Sequence, residues 1–116
     1  MDNYGINSLE RLEHISFAAH RILKFCEGKD EDAFLADEML QSAVLYQFLI
    51  IGEAIQHVDL EILKKHPYPW HLPRSFRNYI AHEYFGINLR QVYKTILDLL
   101  PEFNILIETM IDTYQK

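Results

Sequence analysis

Arg77, Asn78, His82 and Tyr84 lie close together in the stretch RNYIAHEYFGINLR, Arg77 to Arg90, as an R-x4-H-x-Y pattern. Residues of these types can break an RNA phosphodiester without a metal. A base takes the proton of a ribose 2′-OH, the freed oxygen attacks the adjacent phosphorus, and an acid protonates the leaving oxygen. Histidine fills the base or acid role near neutral pH, a contribution of ~10²–10⁴-fold in rate. Arginine brings a planar fork matched to phosphate and keeps its charge. Asn78 lies four residues before His82, on the same helical face, where it is placed to orient the imidazole. Tyr84 is placed to bind phosphate or to stack on a base.

Helical spacing limits how these groups act together. Arg77 and His82 are five residues apart, about 140° around a helix, and Arg77 and Tyr84 are about 10 Å apart along its axis. Arg77 and His82 reach one phosphate only if Arg77 bends round or a second copy of the chain supplies one of them. The spacing therefore favours a composite site. Taken singly, an arginine or histidine on a helix is usually structural or solvated. Arg77 has Glu83 as a nearby acid. Glu53, the polar exception near the end of an apolar run beside Gly52, is either buried and partnered, with Arg77 the candidate cation, or solvated on a turn. Tyr79 and Phe85 are expected in the core, with Tyr68 and Trp70 packing a proline-rich turn.

The chain that positions these residues has 116 residues, 49% of them hydrophobic. That suits one domain, 1–116, with a core that needs neither disulfides nor metals. Cys26 is the only cysteine. It forms no internal disulfide and no cysteine zinc cage, which fits a reducing compartment. MDNYGINSLE lacks the basic start and apolar stretch of a secretion signal, and the apolar stretch Ser42 to Gly52 is too short to span a bilayer. A cytoplasmic protein with no membrane partner is expected. His66 and His71 fall on an irregular turn without an H-E-x-x-H motif or a cysteine pair, and there is no glycine loop to cradle phosphate, so neither metal nor cofactor is expected.

The net charge of −6 argues against a general nucleic-acid binder, and DNA is not an expected partner. The distribution says more. From Lys64 to Lys94 six basic side chains face Glu83 alone, a local charge of +5 in an acidic chain. The motif lies in that basic segment.

Leu9, Leu12, Ile15, Ala19, Ile22, Leu23 and Cys26 recur at helical spacing, which predicts a first helix from Ser8 to Glu27, capped by Ser8 and stopped at Gly28. A second is expected from Ala36 to Leu63. Its middle, AVLYQFLIIG, is apolar nearly all round, so either a second copy or the rest of the chain must cover it. HPYPWHLP, His66 to Pro73, is expected to be irregular. A third helix follows from Arg74 to Tyr84, with Pro73 at its first turn and Gly86 as a left-handed stop. A fourth begins at an Asn88–Gln91 capping box and is kinked near Leu97 by Pro101. The sum is an all-α, up-and-down bundle of four main helices.

RNYIAHEYFGI in a small helical domain resembles the HEPN superfamily and, within it, the HepT-like toxins. LERLEHISFAAHRIL, the block FLADEMLQSAVLYQFLIIGEA (Phe34 to Ala54) and the motif stand in that family's order. The resemblance thus covers nearly the whole chain; Arg77 to Tyr84 is its specific part. It implies a metal-independent endoribonuclease acting on RNA as a homodimer, with both R-x4-6-H motifs lining one cleft. It also implies a toxin–antitoxin pair with a minimal nucleotidyltransferase antitoxin, which neutralises the toxin by moving AMP from ATP to the motif tyrosine. By position, Arg77 and His82 are then catalytic, Asn78 is a polar support and Tyr84 is the AMP acceptor. One departure is the lead-in Pro73-Arg74-Ser75-Phe76, where the family has a more regular, often glycine-containing segment; it leaves the aim of Arg77 open. The alternative is a non-catalytic HEPN module that binds nucleotide or protein and keeps the motif for dimer structure.

Overall fold

The stripe Leu12, Ile15, Ala19 and Ile22 winds into a first helix, α1 (Tyr4–Phe25), with all four side chains fully buried. The structure, a computed structural model, describes residues 4–115, with side chains from Ser8 to Gln115. The expected lack of a secretion signal rests partly on residues 1–3, outside that range. After α1 the described chain runs through α2 (Glu31–Leu35), α3 (Glu38–Ile55), α4 (Leu60–Lys64), α5 (His71–His82), a 3-10 turn (Tyr84–Gly86), α6 (Leu89–Asp98) and α7 (Leu100–Gln115). The fold is all-α, as expected, and holds no strand among the described residues. α1 packs along both α3 and α7, α3 carries α5 on another face, and α2 closes against α3 and α6. Val44, Phe48, Ile51 and Ile55 of α3 meet Ile107 and Met110 of α7 in one buried cluster.

Several boundaries differ from the sequence reading, each for a local reason. α1 begins earlier than Ser8, which is not its cap. Ser8 is buried inside the helix, where its Oγ accepts the Asp59 N–H at 2.9 Å and ties α1 to the turn before α4. The stop at Gly28 holds: its φ of 74° is the left-handed conformation that glycine adopts without strain. The expected second helix, Ala36 to Leu63, is divided in two, α3 and α4, and a further short helix, α2, stands before it. Asp30, Asp37 and Asp59 each cap a new start, their carboxylates accepting from Ala33, Leu40 and Glu61 N–H groups at 2.8, 3.0 and 3.0 Å. Such caps satisfy amides that a helix start leaves without partners.

The proline-rich turn is shorter than expected, because α5 starts at His71 and takes Pro73 into its first turn, where the missing N–H costs nothing. Trp70 fixes this turn: its indole N–H lies 3.0 Å from the Leu63 and 2.9 Å from the His66 carbonyl oxygen, at the end of α4. Its ring packs with Tyr68 in the turn, as expected, and also reaches Phe103 of α7, a contact the sequence reading did not include. Gly86 is not a left-handed stop; Gly28 is the one glycine with positive φ among the described residues. The chain leaves α5 through the 3-10 turn instead, with the Gly86 N–H on the Glu83 carbonyl oxygen at 2.7 Å. Asn88 caps α6 through the Gln91 N–H at 3.1 Å. The reciprocal half of the box is replaced by Tyr79, whose hydroxyl oxygen accepts the Asn88 N–H at 2.9 Å. Pro101 does more than kink the last helix, which breaks at Leu99 into α6 and α7. Its ring nitrogen has no proton for the Leu97 carbonyl four residues back.

Candidate functional site

The site begins with a glycine that α3 would not choose on propensity alone. Gly52 lies inside α3, where glycine costs about 1 kcal/mol relative to alanine. Its reason is the neighbour across the gap. A Cβ at Gly52 would stand 2.1 Å from Arg77 Cβ, 2.7 Å from Arg77 Cγ and 2.9 Å from the Pro73 carbonyl oxygen. α5 therefore crosses α3 at Gly52, and the stem of Arg77 lies directly on the bare backbone.

The next residue of α3 takes the head of that side chain. Glu53 Oε1 is 3.4 Å from Arg77 Nη2, and its other oxygen is 3.3 Å from His57 Nε2. Arg77 Nη1 donates to Asn78 Oδ1 at 3.1 Å. The guanidinium is thus held from two sides, with Arg77 about one-third exposed. Glu53 both pairs with Arg77 and stands exposed, so each of the two readings of it holds in part. Asn78 differs from expectation: its oxygen supports Arg77, not the imidazole of His82. An ion pair this open is worth about 0–1 kcal/mol in stability, so its main effect is on where the guanidinium points. Glu53→Gln is expected to shift Tm by less than about 4 °C, which melting curves check.

His82 ends α5 as an exposed side chain, with no hydrogen bond among the described residues. Tyr84, in the 3-10 turn, is 53% exposed and meets Phe85 edge-on at 5.3 Å. Phe85 was expected in the core and is instead fully exposed, because the 3-10 turn carries it off the helical face that α5 buries. Tyr79 is half-buried against Phe76, and its hydroxyl anchors the loop that follows the motif. The structure therefore holds Arg77 against α3, with Asn78 accepting from its guanidinium, and leaves His82 and Tyr84 open to solvent.

Arg77 opens into a groove of roughly 350 Å³ between α1, α3 and α5, lined also by Arg11, His14, Leu49, Ile50 and Glu53. Sequence spacing marked Gly52 and Glu53 as unusual but did not point to Arg11 or His14, which come from the far end of the chain. Among the described residues no three His, Cys, Asp or Glu side chains are grouped to hold a metal ion. Burial pushes the Cys26 thiol up, away from the thiolate form a nucleophile needs. No described helix is long and apolar enough to cross a membrane.

Comparisons with known proteins bear on this arrangement. Residues 15–110 match the family model described as ribonuclease HepT-like. A protein of Caldanaerobacter subterraneus subsp. tengcongensis, named as a putative RNase, is 35% identical over 92 residues, covering 78% of this chain and 82% of the relative. The protein named probable ribonuclease HepT, of Thermococcus cleftensis, is 33% identical over 91 residues, covering 78% and 83%. A Methanocaldococcus jannaschii protein, named gamma-glutamylcyclotransferase and putative RNase, is 30% identical over 92 residues. There the match covers 78% of this chain but 41% of the longer relative. No solved structure matches the chain.

Proposed function

This chain belongs to the HepT-like ribonuclease family, and from that premise we propose that it cleaves RNA without a metal at a site shared by two copies. The observation that carries the proposal is the unequal treatment of the two key residues. Arg77 is pinned to α3 by the Gly52 contact, Glu53 and Asn78, while His82, five residues on, stands free. A fixed cation suits a phosphate, and a solvent-facing imidazole suits proton transfer once substrate arrives.

In this reading a histidine at position 82 removes the ribose 2′-OH proton, and the 2′-oxygen forms a bond to phosphorus as the P–O5′ bond breaks. A proton returns to the 5′-oxygen, leaving a 2′,3′-cyclic phosphate and a 5′-OH end. The Arg77 guanidinium stabilises charge growing on the phosphoryl oxygens, and Asn78 supports it. The second copy supplies what one α5 cannot, a histidine facing the same phosphate as the arginine. Met39 and Tyr46 of α3 are exposed and offer apolar surface for such a contact, which predicts a mass near twice 13.8 kDa in solution. The cytoplasm is the proposed location.

Tyr84 is the proposed control point, with a minimal nucleotidyltransferase as antitoxin partner. Its phenolic oxygen would attack the α-phosphorus of ATP, releasing pyrophosphate and the phenolic proton and leaving AMP on the ring. The added charge and bulk, two residues from His82, would repel RNA. Tyr84→Phe is expected to accept no AMP and to escape neutralisation by that partner. Intact-mass measurement after incubation with the partner and ATP reads the first, and growth of cells carrying both reads the second.

The test of the function itself is incubation of the purified protein with RNA in EDTA. Cleavage to 2′,3′-cyclic phosphate ends, lost in Arg77→Ala and His82→Ala, is the expected result. Equal activity, or equal inactivity, in all three proteins would favour a non-catalytic HEPN module instead.

A further inference from the structure

We infer that the groove between α1, α3 and α5 is a nucleotide-binding subsite, in which Arg11 and His14 hold a backbone phosphate next to the one gripped by Arg77. The inference rests on the ribonuclease reading for the identity of its ligand. It adds two residues from the opposite end of the sequence to the site.

Three observations carry it. The groove is continuous with Arg77, and its roughly 350 Å³ is of the size of a nucleotide. Arg11 and His14 are three residues apart on α1, so both face the same way. Among the described residues neither is engaged: Arg11 has no ion-pair partner, whereas the groove's one carboxylate, Glu53, is occupied by Arg77 and His57. The walls between the charges are Leu49, Ile50 and Ala54, an apolar floor on which a ribose or base can lie while its phosphate meets the cations. A strand lying along this groove gains one charge-assisted contact beyond Arg77. α1 is otherwise acidic near this point, Glu10 and Glu13 being exposed and outside the lining.

Arg21 supplies the internal control. It lies on the same helix, stacks over Phe17 at 4.5 Å and does not line the groove. Arg11→Ala and Arg21→Ala change net charge equally, so only a local contact separates them.

The experiment uses a short fluorescein-labelled oligoribonucleotide methylated at every 2′-oxygen, which binds but cannot be cut, and follows its anisotropy across a salt series. Arg11→Ala is expected to weaken binding about tenfold and to reduce the slope of log Kd against log salt by about 0.7, one single-strand phosphate contact. His14→Ala weakens it less, Arg11→Lys restores the slope, and Arg21→Ala behaves as wild type. With cleavable RNA, Arg11→Ala raises KM and leaves kcat within about twofold, since the contact is equal in ground and transition states. If wild type binds and cuts RNA while Arg11→Ala matches it, the subsite is overturned and the ribonuclease reading stands. If wild type binds in an Arg11-dependent way but cuts nothing, the ribonuclease reading falls and the subsite stands. If Arg11→Ala loses the dimer rather than RNA affinity, the groove is a contact between copies and the inference is wrong. Wild type that neither binds nor cuts overturns both.

Discussion

His82→Ala is expected to keep wild-type helix content and Tm and, on the proposed mechanism, to cut RNA ~10²–10⁴-fold more slowly, the usual worth of a positioned acid or base. The fold is spared because His82 is exposed and unengaged among the described residues, and surface changes of that kind stay within about 0.5 kcal/mol. Arg77→Ala is expected to lose a similar factor, ~10²–10³-fold for one stabilising donor, but it does so differently. It frees Glu53 from its partner and opens space against Gly52. Arg77→Lys keeps the charge without the fork and recovers little, because a point charge cannot span two phosphoryl oxygens. Single-turnover rates beside circular dichroism melts distinguish loss of chemistry from loss of fold.

The second large effect comes from a residue that touches no substrate. Gly52→Ala places a carbon 2.1 Å from Arg77 Cβ, where about 3.5–4 Å is the contact distance. α5 must lift from α3, since rotating the arginine moves neither its Cβ nor the Pro73 carbonyl oxygen. Alanine's better helix propensity returns about 1 kcal/mol, against an overpacking cost at the top of the usual range, about 3 kcal/mol or more. The net change in stability is therefore a loss of about 2 kcal/mol or more, because the atoms met are a Cβ and a backbone oxygen that cannot swing aside. Activity is the sensitive readout if Arg77 acts as proposed, because misplacing such a group by about 1 Å costs about 10²-fold. A variant that stays folded at the assay temperature but cuts about 10²-fold more slowly is the expected result. Full activity in Gly52→Ala would show that the α3–α5 crossing does not aim Arg77. A titration of the same variant with the uncuttable oligoribonucleotide should show RNA affinity weakened far less than the rate.

Much of this was legible before any coordinates. Apolar spacing fixed the all-α class, and the local signals Gly28 and Asn88 marked boundaries that the structure keeps. What sequence missed was non-local. Ser8 has the type of a cap, yet its partner is Asp59, on the far side of the core. The long second helix broke after Ile55, and Asp59 restarts it as α4 with its carboxylate on the Glu61 N–H. Phe85 has a core residue's chemistry, but the turn that carries it points it to solvent. At the site, the motif and the Glu53–Arg77 pairing were readable from type and spacing. The approach of Arg77 to Gly52 and the presence of Arg11 and His14 were not, since both depend on how three helices meet.

The measurement that tests the shared site most directly is complementation between two inactive variants. Arg77→Ala and His82→Ala chains are unfolded, mixed in equal amounts and refolded, then assayed on RNA in EDTA. If the arginine of one copy works with the histidine of the other, half of the dimers carry one whole site, and about a quarter of the wild-type rate returns. A mixture no more active than its two components would contradict the account, and would place Arg77 and His82 of a single chain on the same phosphate.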